Sequence, residues 1–279
     1  MVRGAPFISF LGLNFALCWG IGAILDGVPV IAPDGSFLAG ALLAALAVAA
    51  LTGGRPALRD LGRRLVRWRV GARWYGVVFA LPVTIIGITI IFVSLFGGAS
   101  LDWGARPALA QTAVFLALLL VLPIGAPVAE EIAWRGFALP RLLEERSPLS
   151  ASLILGVIWS AWHIPVVLSD PTLRVPLPFF LAVLPLSVLS TWLFLRTGGS
   201  VLMAVLFHAW YDVALGFVAA IVAIDDYALM WWLLFIIQSV VALAAARFFE
   251  SPQRCAIDIG EELNIKRRMK DVAARKRGD

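Results

Sequence analysis

Glu130 and Glu131 stand side by side in the stretch PVAEEIAWRGFALPRLLEE, residues 127–145, directly after a run of apolar residues. Arg135 follows four positions later. The chain has two histidines, and both lie in apolar surroundings: His163 in WSAWHIP and His208 in FHAWYD, with Asp212 four residues beyond the second. A charge at the centre of a bilayer costs about 2.5–3.5 kcal/mol on translocon scales, so ionisable groups at such positions are functional candidates by default. A carboxylate can act as a general base toward water. A histidine can orient that water or hold a metal, and a second can donate to a developing oxyanion. Peptide hydrolysis needs that set.

Helical spacing divides the work. Residues four apart share a face, so Glu131 can reach Arg135, His208 can reach Asp212, and Trp159 stacks beneath His163. Glu130 is turned about 100° from Glu131, so the two carboxylates need not do the same job. The natural division pairs Glu131 with Arg135 as a structural ion pair and leaves Glu130 free for chemistry.

These residues must be held by membrane helices. The 279 residues are 61% hydrophobic with a mean hydropathy of +0.92, against about 45–50% apolar for soluble domains. The chain is therefore an all-α, polytopic membrane helix bundle with no room for a large soluble domain. Apolar runs give eight candidate spans, near 7–25, 36–52, 74–96, 109–126, 150–168, 177–195, 200–222 and 227–249. The runs are continuously apolar rather than alternating, which favours helices over barrel strands. A single arginine precedes the first run and no A-x-A cleavage site follows it, so an uncleaved first helix is expected rather than a signal peptide.

Orientation follows from arginine placement. The connector RPALRDLGRRLVRWRVGAR carries seven arginines, at 55, 59, 63, 64, 67, 69 and 73, and the tail from residue 250 is also basic. Both read as cytoplasmic. Asp225 and Asp226 lie in a loop without basic residues and read as external; Arg106 and Arg174 are single exceptions in external loops. With eight spans both termini are cytoplasmic, residues 1–249 form the membrane domain and 250–279 a basic tail. The 55–73 connector is expected as an amphipathic helix on the membrane surface that anchors topology. The net charge of +5 flanks apolar segments, so no nucleic-acid partner is implied. Cys18 and Cys255 are too far apart in sequence to indicate a disulfide framework.

Depth brings the polar residues together. His208 lies about 12 Å into its span from Ser200, and His163 about 20 Å into its own, at 1.5 Å per residue. Glu130 falls at the inner end of a span running toward the cytoplasm. Pro123, Gly125 and Pro127 are expected to kink or restart the helix before it, with Pro127 in the first helical position. Broken helices at membrane depth line protein-walled or wet cavities.

At these residues the chain resembles the CAAX prenyl protease and bacteriocin-processing (CPBP or Abi) family. The pattern E-E-x-x-x-R, aromatic-x-x-x-H, H-x-x-x-N/D reads here as EEIAWR 130–135, WSAWH 159–163 and HAWYD 208–212, within a core of about 121–212. The resemblance implies an intramembrane endopeptidase of a prokaryotic cell membrane. Its substrate would be a membrane-associated peptide or protein, a lipid-modified chain or a leader peptide. Glu130 matches the water-activating glutamate, and His163 the histidine that holds the water with it. Glu131 and Arg135 match the accompanying acid and its arginine, and His208 with Asp212 the pair that steadies the oxyanion. Two positions depart from the commonest pattern: Trp159 stands where phenylalanine is usual, and Asp212 where asparagine is common. An ionised aspartate donates no hydrogen bond, so Asp212 would serve an oxyanion only if protonated or through His208.

Both a metal-dependent and a metal-free glutamate mechanism are open for this pattern. No H-E-x-x-H zinc-protease spacing occurs. If a metal such as zinc takes part, Glu130, His163 and His208 would be its two-His-one-carboxylate ligands; the metal-free reading is favoured. Two other classes stay open at this level. A transporter or channel would use the same Glu, His and Asp groups to bind a cation or relay protons. A non-catalytic immunity or scaffold protein would keep the fold without activity. Paired repeats or a second broken helix would mark the transporter, and neither is evident in the sequence.

Overall fold

The computed structural model describes residues 5–25, 33–98, 101–121, 125–169 and 176–249. Pro123, Arg174, Cys255, residues 26–32 of the first loop and the basic tail lie outside the described residues. The described chain is all-helical, a polytopic membrane helix bundle.

Each apolar run forms helix. In chain order these are α1 (Ala5–Leu25), α2 (Pro33–Leu65), α3 (Ala72–Phe96), α4 (Leu109–Val121), α5 (Ala126–Glu131), α6 (Leu139–Leu143), α7 (Pro148–Trp162), α8 (Ile164–Ser169), α9 (Pro176–Arg196), α10 (Val201–Ile221) and α11 (Tyr227–Ala246). Five segments are long and apolar enough to cross a membrane: 39–65, 72–96, 176–196, 201–221 and 224–246. The other three expected spans correspond to α1, to α4 with α5, and to α7 with α8. Two of them are interrupted: the fourth at Gly125, which precedes α5 with non-helical backbone, and the fifth at His163.

The molecule is apolar outside and polar within. Leu51, Leu95, Phe96, Leu109 and Leu243 are well exposed on helices long or apolar enough for lipid contact, while Glu131 and Arg135 are fully buried. α9 is the most enclosed of the five long helices. It packs against α7 on one side and α11 on another, and α10 packs against α3. The α7–α9 contact is built from small residues. A Cβ on Gly156 would lie 3.2 Å from the Leu184 Cα, so the two backbones approach closely there. Ser187 Oγ donates to the Ser152 carbonyl at 2.9 Å and Ser160 Oγ to the Phe180 carbonyl at 2.7 Å. Small residues and serine bonds of this kind hold membrane helices together where no hydrophobic drive acts between them.

The two ends of the bundle differ in charge. At one end the arginine-rich segment continues α2 past a break at Gly54, where φ is +59° and only glycine is at ease. It is helical to Leu65 and then turns. Arg67 donates through Nη1 to the Gly198 carbonyl, and Ser200 Oγ donates to the Arg67 carbonyl at 2.7 Å. Gly198 and Gly199, with φ of +65° and +79°, make the tight α9–α10 turn that receives it. Ser200 also caps α10, accepting from the Met203 N–H. At the other end, the Asp102 N–H donates to the Ile221 carbonyl at 2.8 Å and the Gly98 N–H to Asp226 Oδ1 at 2.9 Å. α10 thus runs from an arginine-rich end to an aspartate-bearing one, as the charge pattern leads one to expect.

Candidate active site

Three broken or capped helices bring the motif residues together. Gly125 precedes α5 with extended backbone, and Ala126 opens the helix with Pro127 second, one place later than expected. A proline fits there because the first N–H groups of a helix have no intrahelical partner. Glu130 and Glu131 close α5, and the next seven residues, Ile132–Ala138, form a π-helix instead of continuing in α form. Such stretches recur at functional sites. Its residues are all buried. Gly136 lets the arginine-rich segment approach: a Cβ there would sit 3.0 Å from Leu61 Cδ2. His163 is the C-terminal cap of α7, at the junction with α8 rather than within one continuous helix. Pro165, two residues on, has no N–H to carry the helix through.

The ion pair expected from spacing is present. Arg135 Nη1 donates to Glu131 Oε1 at 2.9 Å, with both side chains fully buried. The same oxygen also accepts from His208 Nδ1 at 3.0 Å, which spacing alone did not indicate because His208 is 77 residues away. Glu131 therefore joins the first motif to the third. A carboxylate only accepts, so His208 carries a hydrogen on Nδ1. Its Nε2 faces Asp212 Oδ1 at 3.7 Å, an ion-pair distance and not a hydrogen bond. Each ring nitrogen of His208 thus looks onto a carboxylate.

Glu130 is not bare. Trp159 Nε1 donates to its Oε2 at 2.6 Å. The aromatic position expected to stack beneath His163 does so only obliquely, with ring centroids 5.9 Å apart and planes at 48°. Its edge meets the His208 ring at 5.4 Å, and the Arg135 guanidinium lies over its face at 4.5 Å. Trp159 touches all three motifs. His163 Nδ1 lies 2.8 Å from the Trp159 carbonyl. A carbonyl accepts, so that nitrogen carries the hydrogen and Nε2 of the neutral ring is left with a lone pair. Both carboxylates are buried, Glu130 at 4% exposure and Glu131 at zero.

The metal alternative can be weighed against these partners. Among the described residues no three His, Cys, Asp or Glu side chains are grouped as ligands for one ion. Glu130 is held by Trp159, His208 by Glu131, and His163 by a backbone carbonyl. These bonds use Glu130 Oε2 and Nδ1 of each histidine, so Glu130 Oε1 and the two Nε2 atoms are the atoms that would take up either a water or a metal.

Further polar residues were not singled out by the motifs. Asn14 in α1 is fully buried and its Oδ1 accepts from Trp162 Nε1 at 3.2 Å and Cys18 Sγ at 3.0 Å. Trp162 in turn meets His163 edge-on at 5.0 Å. Gln238 in α11 donates to the Tyr211 hydroxyl at 2.8 Å, beside Asp212. The available signal was a lone amide in each apolar run; both were overlooked because neither belongs to a spaced constellation.

Residues 112–214 match the family model described as Type II CAAX prenyl endopeptidase Rce1-like. The chain is also 30% identical over 141 residues to a CAAX prenyl protease 2 of Methanococcus maripaludis, across 47% of this chain and 52% of that protein. The chain thus spans about half the length of the curated relative it matches. All three motifs fall inside the segment that is similar to this family of CAAX prenyl endopeptidases.

Proposed function

We propose that the protein is an intramembrane endopeptidase that hydrolyses a peptide bond of a membrane-associated peptide or protein, with water activated by Glu130. The observation that carries this reading is the pairing of the two carboxylates. Glu131 carries the charged partner Arg135 together with His208, while among the described residues Glu130 is held only by the neutral indole of Trp159 through Oε2, with no ion pair to Arg135. A sealed ion pair would need only the first.

The roles follow from the hydrogen positions. His163 Nε2 accepts one hydrogen of the water and Glu130 Oε1 takes the other as the water oxygen adds to the carbonyl carbon. The oxyanion so formed receives a hydrogen bond from His208, whose Nδ1–H is already committed to Glu131. The donor is therefore Nε2, carrying a hydrogen in the doubly protonated ring, and Asp212, at ion-pair distance, is the counter-charge that favours that protonated ring. Asp212 thus acts through His208, in keeping with an aspartate where asparagine is common. Glu130 then passes its proton to the leaving amine as the C–N bond breaks.

The substrate class rests on the likeness. The matched relative is named for CAAX prenyl proteolysis, which makes a prenylated or otherwise lipid-modified C-terminal segment the first candidate, with a leader peptide second. By the positive-inside rule the arginine-rich end would face the cytoplasm, where such segments would be presented. The protein would sit as a multi-pass component of a prokaryotic plasma membrane, with both termini in the cytoplasm. The test is cleavage of farnesylated and unmodified CAAX peptides and leader peptides by the purified chain, read by mass spectrometry. Glu130-dependent cleavage supports the reading. Specific, saturable cation flux in liposomes without any cleavage would move the cluster to transport.

A further inference from the structure

We infer that Trp159 is a positioning residue that commits Glu130 to water: its indole N–H holds Oε2, leaving Oε1 for the reacting proton and keeping the carboxylate off Arg135. The inference rests on the reading of Glu130 as the general base, and it concerns a position where this chain departs from the usual phenylalanine of the pattern.

The geometry argues it in three steps. First, the bond is short, 2.6 Å, and buried: Trp159 is 2% exposed and Glu130 4%. A hydrogen bond to an ionised group in such surroundings is among the stronger ones. Among the described residues no hydrogen bond reaches Oε1, so the two oxygens are inequivalent. Second, a competing partner is close. Arg135 lies over the same indole at 4.5 Å, and its Nε and Nη2 have no hydrogen-bond partner. Glu131 occupies only Nη1. A freely rotating Glu130 would find a second ion pair there, and a carboxylate locked in an ion pair is a poorer base. Third, the indole itself cannot drift. Its edge meets His208 at 5.4 Å, its carbonyl binds His163 Nδ1, and its ring face is covered by Arg135. A phenylalanine would keep most of this packing and lose the donor alone. Trp159 therefore does by hydrogen bonding what the pattern's usual residue cannot do.

Two measurements test this. The first replaces Trp159 with 3-benzothienylalanine, which keeps the bicyclic shape and carries sulfur in place of N–H, alongside Trp159→Phe. The expected result is a kcat about 10- to 100-fold lower with KM unchanged, the size set by a hydrogen bond to a charged group. A KM that rises in step with the fall in kcat/KM, or an unchanged kcat in the benzothienyl variant, overturns the inference. The second needs no activity. In the ¹⁵N-tryptophan spectrum of the full chain in detergent, the indole signal lost in Trp159→Phe identifies Trp159 among the eleven tryptophans. That proton resonance should lie downfield of the other indoles and move upfield in Glu130→Gln. An indole signal indifferent to Glu130→Gln overturns the positioning role. A wild-type protein without peptidase activity, but with this coupled signal, would leave the indole–carboxylate bond standing and remove the proposed function instead.

Discussion

A single oxygen of Glu131 carries two donors, Arg135 and His208, and this sharing sets what each substitution should do. Glu130→Gln keeps shape and the bond from Trp159 but cannot take a proton. Turnover should fall at least about 100-fold with the thermal midpoint in detergent nearly unchanged. Arg135→Ala removes one partner of a fully buried pair, which typically costs about 3–5 kcal/mol. It should lower the midpoint as well as the activity; loss of activity at unchanged stability would place Arg135 in catalysis or substrate binding. The metal question is decided at this scale too. His208→Gln can still donate a hydrogen bond but is a poor zinc ligand, so the metal-free account expects partial activity in that variant and well under one transition metal per chain by elemental analysis of active protein. Stoichiometric zinc, with activity lost on chelation and restored by the metal, would reverse the account. The i,i+4 pair Glu131–Arg135 and the approach of His208 to Asp212 were legible in the sequence because helix periodicity alone determines them. The Glu131–His208 and Trp159–Glu130 bonds were not. They join residues 77 and 29 positions apart, and only tertiary packing fixes which indole or imidazole edge turns toward which carboxylate.

The elements that hold these residues are irregular where the chemistry lies. The restart before Glu130 could be read from Gly125 and Pro127. The π-helix from Ile132 to Ala138 could not, since no residue in IAWRGFA breaks an α-helix by propensity alone apart from Gly136. The stop at His163 was missed although Pro165 announces it, because the surrounding run reads as one uninterrupted apolar span of suitable length. α7, which carries both Trp159 and His163, is located by its contact with α9. Gly156→Leu would drive a side chain into the Leu184 backbone and Ser187. Overpacking of this kind costs about 1–3 kcal/mol, and the shift of α7 should reduce kcat in parallel with the thermal midpoint. A variant of normal stability and normal kcat would show that the α7–α9 approach does not position the site. At the α9–α10 turn, Gly199→Ala places a Cβ at φ +79°, where an L-residue loses about 1–2 kcal/mol. Its effect should appear mainly in stability, since the turn lies at the basic end of the bundle and not among the reacting groups.

Across the whole molecule, the hydropathy of the chain foretold a helical membrane bundle. Arg67 meets Ser200 at one end of α10, and Asp102 meets Ile221 at the other. Length was the weaker guide: eight runs were legible, and among the described residues five helices are long and apolar enough to cross a membrane unaided, while non-helical backbone at Gly125 and the turn at His163 fall within two of the other runs. The positive-inside rule assigns the arginine end to the cytoplasm. Cysteines introduced at Arg59 and at Asp225 should therefore react with a membrane-impermeant maleimide from opposite sides, Asp225 in intact cells and Arg59 only after lysis. The reverse pattern would invert the topology and with it the side from which substrate enters. The central claim concerns Glu130, and one measurement meets it most directly. Purified wild type and Glu130→Gln are incubated in parallel with a labelled library of CAAX and leader peptides, with and without chelator, and products are identified by mass. The account predicts discrete cleavage by the wild type, unaffected by chelator, and none by the variant. Equal cleavage by both proteins would contradict it.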